Sequence, residues 1–352
     1  MPLSRQCITI LRQQFTFHGE GMNTLPLRLV YSDKAALPLG DHVFHGGKYR
    51  GVRERLLEMG AFAAQDFMPS YACSDADLLL VHTSLWVNKL KNGVLSTREE
   101  LELEVPYSPE LVAAFRYMAG GSIVAAEEAM RGNCSVHLGG GFHHAFADHG
   151  EGFCLINDVA IAIRRLQRDG HIARAMVIDC DVHQGNGTAA IFGNGEEREP
   201  FPNTSALTMT TGKQQASVKS AAARDVFTLS LHQESNYPQW KPPSSLDVNL
   251  PDGTTDSEYL DWLNFALTAA RDRFEPELVC YVAGADPFWG DQLGGLSLTM
   301  EGLKQRDRMV FEFARDNGFP VMTTFAGGYA QKAADTVAIH TNTVLAAKEV
   351  FG

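Results

Sequence analysis

Short apolar runs separated by longer amphipathic stretches set the rhythm of this chain. Runs of about four to eight apolar or β-branched residues bounded by turn formers read as buried strands; apolar residues recurring every three to four positions read as helices. The pattern predicts strands at Leu27–Tyr31, Leu78–His82, Ser135–Leu138, Ala175–Asp179, Val226–Leu231, Leu278–Val282 and Pro320–Phe325. It predicts helices at Gly51–Met59, Ile123–Met130, Asp158–Arg168, Asp256–Arg271, Met300–Arg315 and Ala333–Glu349. Most helices fall between strands, as in a mostly parallel sheet covered on both faces. The expected fold class is therefore α/β, with three layers. One segment breaks the rhythm: 193–224 is rich in Ser, Thr, Ala, Gln and Gly and has no acid between Pro202 and Arg224. It reads as a surface insertion.

A chain of 352 residues accommodates one large α/β domain or two smaller ones. No repeat and no convincing linker divides it. The net charge of −12 argues against a nucleic-acid partner, which needs a basic face. It is compatible with a cationic substrate. The six cysteines form no CxxC pair, and several lie in apolar runs. They read as small core residues of a reducing compartment, so the expected location is cytoplasmic. No stretch is long enough to span a bilayer, so no membrane is expected. The first 19 residues carry Arg5 and Arg12 and no acid. A transit peptide and an ordinary N-terminal extension both look like this, and an extension over residues 1–26 is the expectation.

Two blocks carry the chemistry. Asp179-Cys-Asp181-Val-His183 follows the run Ala175–Ile178, with acid, acid and imidazole at alternate positions. In an extended strand these point to one face. Oxygen and nitrogen donors without thiolate suit a divalent metal held for chemistry, rather than a structural zinc finger. The bland alternative is an Asp capping a turn and a surface His. A further acid after another strand, Asp286, favours the metal. The other block is Gly-Gly-Gly-Phe-His143-His144, and Gly327-Gly328-Tyr329 closes a fourth strand. The triglycine is not a phosphate loop, because no Gly-Lys-Ser/Thr follows. Open parallel sheets bind ligands beyond the carboxyl ends of their strands. Four strand ends thus aim polar groups at one crevice.

These blocks, with Gly152-Phe153-Cys154 and the continuation Gln184-Gly-Asn186-Gly, resemble the zinc-dependent histone deacetylase family, in the family's order from 139 to 329. The run His183–Gly187 and the run Gly290-Asp291-Gln-Leu293-Gly-Gly-Leu-Ser are most similar to class IV members and their bacterial relatives. The resemblance implies the arginase/deacetylase fold and a single catalytic domain over 27–352. It implies one catalytic zinc on Asp181, His183 and Asp286. It makes His144 the general base and later acid, His143 its electrostatic partner held by Asp179, and Tyr329 the donor to the tetrahedral oxyanion. Asn186 stands where many members carry an acid, and would orient His144 without a carboxylate's charge. A potassium site is implied at Asp179, Asp181, His183, Ser230 and Leu231; for Ser230 a plain sheet residue is the alternative. Gly152, Phe153, Tyr237 and Leu293 would line the substrate channel. Leu293 replaces the acid of polyamine-deacetylating members.

The implied reaction removes an acyl group, acetyl or longer, from a lysine side chain of a protein or peptide, or from a small acylated amine. Oligomeric state stays open. A binuclear manganese ureohydrolase on the same fold would need an acid at Gly185. A non-enzymatic acyl-lysine binder would be expected to lack a ligand or Tyr329. His18, His82, His137, His149, His171 and His340 are expected on the surface or in the core, and His42 and His45 as possible entrance residues.

Overall fold

The computed structural model describes residues 27–193 and 225–352. The extension 1–26 and the insertion beyond Gly193 lie outside the described residues. The strands are β1 (Leu27–Val30), β2 (Phe67–Met68), β3 (Cys134–His137), β4 (Ala175–Asp179), β5 (Val226–Gln233), β6 (Leu246–Leu250), β7 (Leu278–Val282) and β8 (Val321–Thr324). The α-helices are α1 (Lys48–Glu58), α2 (Asp75–Leu78), α3 (Ser84–Asn92), α4 (Thr97–Leu103), α5 (Pro109–Gly132), α6 (Asp158–Arg168), α7 (Asn186–Phe192), α8 (Asp256–Arg273), α9 (Met300–Asn317) and α10 (Ala333–Phe351). The strands form one sheet in the order β2-β1-β3-β8-β7-β4-β5-β6, and every neighbouring pair is parallel. The α/β architecture is as expected, and the sheet is wholly rather than mostly parallel.

Helix α5 packs on β1, β3 and β8 and against α6, which touches α7. Helices α1, α10, α9 and α8 pack on one another in that order, and α10 also meets β1 and β3. The sheet lies between these two groups, so its central strands are buried on both faces. Every residue of β3, β4, β5, β7 and β8 is buried. This explains why those strands read as continuous apolar runs.

Two expectations differ from the structure, and two strands are added to those predicted. Leu78–His82 is not a strand. Ser74 and Asp77 form a reciprocal capping box that starts α2, and Arg165 holds Asp77 at 2.7 Å. Leu78 is buried while Leu79 is exposed, and the chain continues in turns that deliver His82 inward. The second strand is the short edge pair Phe67–Met68, beside β1. Strand β6 was hidden by Asp247 and Asn249, which face its half-buried side. Helix α5 runs well N-terminal of the predicted Ile123–Met130, from a Ser108 cap with Pro109 at its first position. Gly120 and Gly121 masked it, since each costs about 1 kcal/mol of helix propensity. Here they allow close approach. A Cβ on Gly120 would lie 1.7 Å from Tyr71 O, and one on Gly121 would lie 2.3 Å from His137 Nε2.

Candidate active site and metal centre

Strands β3, β8, β7, β4 and β5 are consecutive in the sheet, and the site is built just beyond their carboxyl ends. Two chemical features sharpen that crevice: an acidic cluster past β4 and β7, and the histidine pair past β3. In the first, one donor atom each from Asp181, His183 and Asp286 lies within 4.8 Å of the others, all buried. His183 Nδ1 stands 3.1 Å from Asp181 Oδ1 and 3.3 Å from Asp286 Oδ2. Backbone groups fix the carboxylates: Gly327 N–H donates to Asp181 Oδ2 and Val182 N–H to Asp286 Oδ1. Among the described residues, Asp286 Oδ2 is buried with no hydrogen-bond partner. Burial and the Asp181 carboxylate push Asp286 up to about 7, against the pull of His183. Burial lowers His183, but Asp181 and Asp286 outweigh it and lift the imidazole to about 10.

A buried carboxylate oxygen without a donor, in an oxygen–nitrogen–oxygen set, calls for a cation. The backbone leaves room only for these groups. A Cβ on Gly327 would sit 2.0 Å from Asp286 Oδ2, and one on Gly284 2.5 Å from Asp181 Oδ2. The three residues therefore fit zinc, three protein ligands being the number that catalytic zinc sites use.

The histidine pair sits beside this cluster. His143 Nδ1 bonds Asp179 Oδ2 at 2.7 Å, and its Nε2 lies 3.8 Å from Asp181 Oδ1. Burial lowers His143, but Asp179 and Asp181 overcome it and raise the ring to about 9. His144 goes the other way. Burial, then the charges of His143 and His183, hold it well below the ordinary histidine range. Its Nδ1 pairs with Asn186 Oδ1 at 2.7 Å. Two adjacent imidazoles, their rings 4.1 Å apart, thus have opposite proton affinities.

The loop that carries them is clamped by Asp158, which accepts from Gly141 and Phe142 N–H and from the Ser122 hydroxyl. Gly141 has φ +84°, and a Cβ there would strike Ala326 at 2.7 Å. Tyr329 is buried with its ring 6.3 Å from that of His183, and Asp291 accepts its N–H at 2.6 Å. Phe153 rests 5.9 Å from the Tyr329 ring, and Tyr237 rests 5.0 Å from the His144 ring. Gly152 and Phe153 both have left-handed backbones, φ +52° and +67°. A side chain at Gly152 would press on His144 and Tyr237. Leu293 joins the Tyr237 loop through its carbonyl, which accepts from Asn236 Nδ2. The β4–β5 register sets Asp179 opposite Ser230, with Leu231 next along β5. His42 packs edge-on against Phe153 at 4.9 Å.

Several groups were not foreseen. Asp158 looked only like the start of a helix. Lys48, in a Gly-Gly-Lys-Tyr run without any signal, is buried, donates to Ala326 O at 2.7 Å and lies 5.6 Å over the Tyr329 ring. Burial brings it down to about 8, opposed by Asp286, Asp181 and Asp291. Glu151 meets both Asn186 and Tyr237. Of the histidines set aside, His82, His137 and His340 are core residues.

The family model for the histone deacetylase domain matches residues 42–345. The chain belongs to the histone deacetylase family. Among relatives, it is 34% identical to an uncharacterized protein of a Picosynechococcus species, over 92% of this chain and 99% of that one. It is 31% identical to histone deacetylase 2 of Arabidopsis thaliana, over 84% of this chain and 72% of that one. The crystal structure of a histone deacetylase homolog from Aquifex aeolicus superposes with a TM-score of 0.70 at 22% identity, covering 91% of this chain and 84% of that one, and so shares the fold. As in the family, the buried Asp-His-Asp set is compatible with zinc. Among the described residues no helix is long and apolar enough to cross a membrane.

Proposed function

We propose that this deacetylase-family chain is a zinc-dependent lysine deacylase of class IV-like type. It would be one catalytic domain over 27–352, behind an extension at 1–26 and interrupted by a surface insertion at 193–224. The observation that carries the reading is the buried Asp181–His183–Asp286 set beside two histidines held in different ways, His143 on the Asp179 carboxylate and His144 on the Asn186 amide. Zinc bound there supplies a Lewis acid for the amide carbonyl and brings the pKa of a water toward about 7.

The chain's own residues do the rest. His144, neutral and anchored through Nδ1, takes the proton of the attacking water at Nε2. His143, kept protonated by Asp179, stabilises the negative charge that develops. Tyr329 donates its hydroxyl to the carbonyl oxygen as it becomes an oxyanion. As the C–N bond breaks, His144 returns the proton to the leaving lysine amine. Phe153 and Tyr237 would flank the lysine's methylene stem. An apolar Leu293 disfavours polyamines, so the substrate would be an acyl-lysine in a protein or peptide, or another small acylated amine. Potassium would sit under this site, on backbone groups of Asp179, Asp181 and His183 with Ser230 and Leu231, a placement supported by the β4–β5 register. A second catalytic ion has no place: a Cβ on Gly185 would lie 2.4 Å from Asp179 Oδ2, leaving no room for the extra acid.

The test is to load the purified enzyme with zinc and offer one peptide bearing acetyl, lactyl, propionyl, octanoyl or myristoyl lysine, ranking kcat/KM. Turnover of at least one, with one zinc per chain lost in Asp286→Ala, is expected. Failure on all of them, or two tightly bound ions at this site, would overturn the reading.

A further inference from the structure

Asn186 raises a question of direction. An amide presents an oxygen on one side and an NH2 on the other, and either can face an imidazole. If the oxygen faces His144, Nδ1 carries the proton and the Nε2 lone pair looks into the site. If the NH2 faces it, Nδ1 is the acceptor and the proton moves to Nε2, where a base is useless. A carboxylate at this position would leave no such ambiguity. Something else must choose the amide's orientation.

Glu151 is placed to choose it. Its Oε1 accepts from Asn186 Nδ2 at 2.5 Å and from the Tyr237 hydroxyl at 2.7 Å. Burial raises this carboxyl, but contacts from His149, Tyr237 and Asn186 outweigh it and keep it below the usual glutamate range. An ionised carboxylate only accepts. It therefore draws Asn186 Nδ2 toward itself, and Oδ1 is left facing His144 Nδ1. His149 stands 3.7 Å from Oε2, and its Nδ1 is engaged by Asp148 at 2.7 Å. The backbone is held as well. Glu151 forms a bridge with Cys154, immediately before the left-handed pair Gly152 and Phe153.

We infer that Glu151 is a positioning residue: it fixes the Asn186 amide, and through it the Nδ1-protonated tautomer of His144 that leaves Nε2 free to act as base. The same oxygen ties down Tyr237, so the base and one channel wall share an anchor. The inference deepens the deacylase reading and rests on it for its kinetic consequence, but the tautomer can be read without turnover.

The decisive variant is Glu151→Gln, which keeps the shape and can still accept, but can also donate. Both amides can then turn over together, and His144 divides between its tautomers. A fixed wrong tautomer costs a serine-protease triad about 10⁴ in rate, so a divided population should cost less, about 10- to 100-fold in kcat. Zinc content should be unchanged. Nitrogen-15 NMR of histidine-labelled, zinc-loaded protein should show His144 protonated at Nδ1 in the parent and at both nitrogens in Glu151→Gln. Adding Asn186→Asp to Glu151→Gln should restore both kcat and the single tautomer. In that double variant the introduced carboxylate can only accept from His144, while the introduced amide donates to the carboxylate. Parent-like kcat in Glu151→Gln, an unchanged tautomer, or a double variant that recovers neither property would overturn the inference. A parent inactive on every acyl-lysine peptide would instead sink the deacylase reading, and the NMR comparison would still decide the role of Glu151.

Discussion

Arg306 is the most demanding place to test how the proposed metal ligands are held. Its guanidinium is fully buried. Nη1 donates to Cys180 O at 3.1 Å and to Gly284 O at 2.7 Å, while Nε and Nη2 grip Asp307 Oδ1 at 2.9 and 2.8 Å. Cys180 lies between Asp179 and Asp181, and Gly284 two residues before Asp286. One side chain therefore braces both loops that carry ligands. Arg306→Met keeps the stem and removes the fork. It strands the Asp307 charge and leaves two loop carbonyls without a donor. Breaking a buried pair by deleting one partner costs about 3–5 kcal/mol. Asp307 keeps the Tyr281 and Thr343 hydroxyls, so the lower half of that range is expected. Looser loops should also weaken zinc binding by about 10- to 100-fold, the usual cost of losing a group that orients ligands. Denaturant unfolding of the metal-free protein and chelator competition measure the two effects. Adding Asp307→Asn should regain part of the stability by removing the stranded charge. Arg306→Met with stability within about 1 kcal/mol of the parent, the range of ordinary substitutions, would refute the brace.

Three further outcomes are expected. Tyr329→Phe should fold and hold zinc, yet lose about 10²–10³ in kcat, the cost of one oxyanion donor; near-normal turnover would remove the role. Replacing a general base costs about 10²–10⁴, so His144→Ala should lose more kcat than His143→Ala, and the reverse order would move the base to the Asp179-supported ring. His82 uses both ring nitrogens, with Phe146 O and Asn157 N–H, and burial holds it down to about 4. The unfolded chain then binds a proton before the folded one does, so stability should fall as pH drops from about 6.5 to about 4. Stability curves for His82→Gln should fall less over that window, and identical slopes would contradict the assignment.

Much of this architecture was legible in the sequence because buried parallel strands need apolar residues on both faces, which makes short uninterrupted runs. The metal and histidine blocks were legible because their residues cluster at strand ends. What escaped notice followed other physics. Leu78–His82 has a strand's composition, but Ser74 and Asp77 turn it into helix. Gly120 and Gly121 look like breakers and act as contact points. Lys48, Glu151, Asp158 and Arg306 act across long sequence separations, Arg306 on a carbonyl 126 residues away. Such partnerships depend on which strands become neighbours, and no local pattern announces that.

The strand order also dictates when the site can exist. Asp181 is fixed by the amide of Gly327, 146 residues later, and Asp286 by the amide of Val182, 104 residues earlier. Strand β8, one of the last elements of the chain, is inserted between β3 and β7 at the middle of the sheet. During synthesis, then, Asp181 and His183 emerge long before Asp286, the third of the proposed ligands, and the pocket is not closed until the residues around Tyr329 have left the ribosome. A nascent chain stopped short of β8 would have a gap in its sheet where the two halves should meet. On the proposed zinc reading, capture of the ion would be tied to the docking of β8, and zinc retention would report whether that strand has reached its place between β3 and β7.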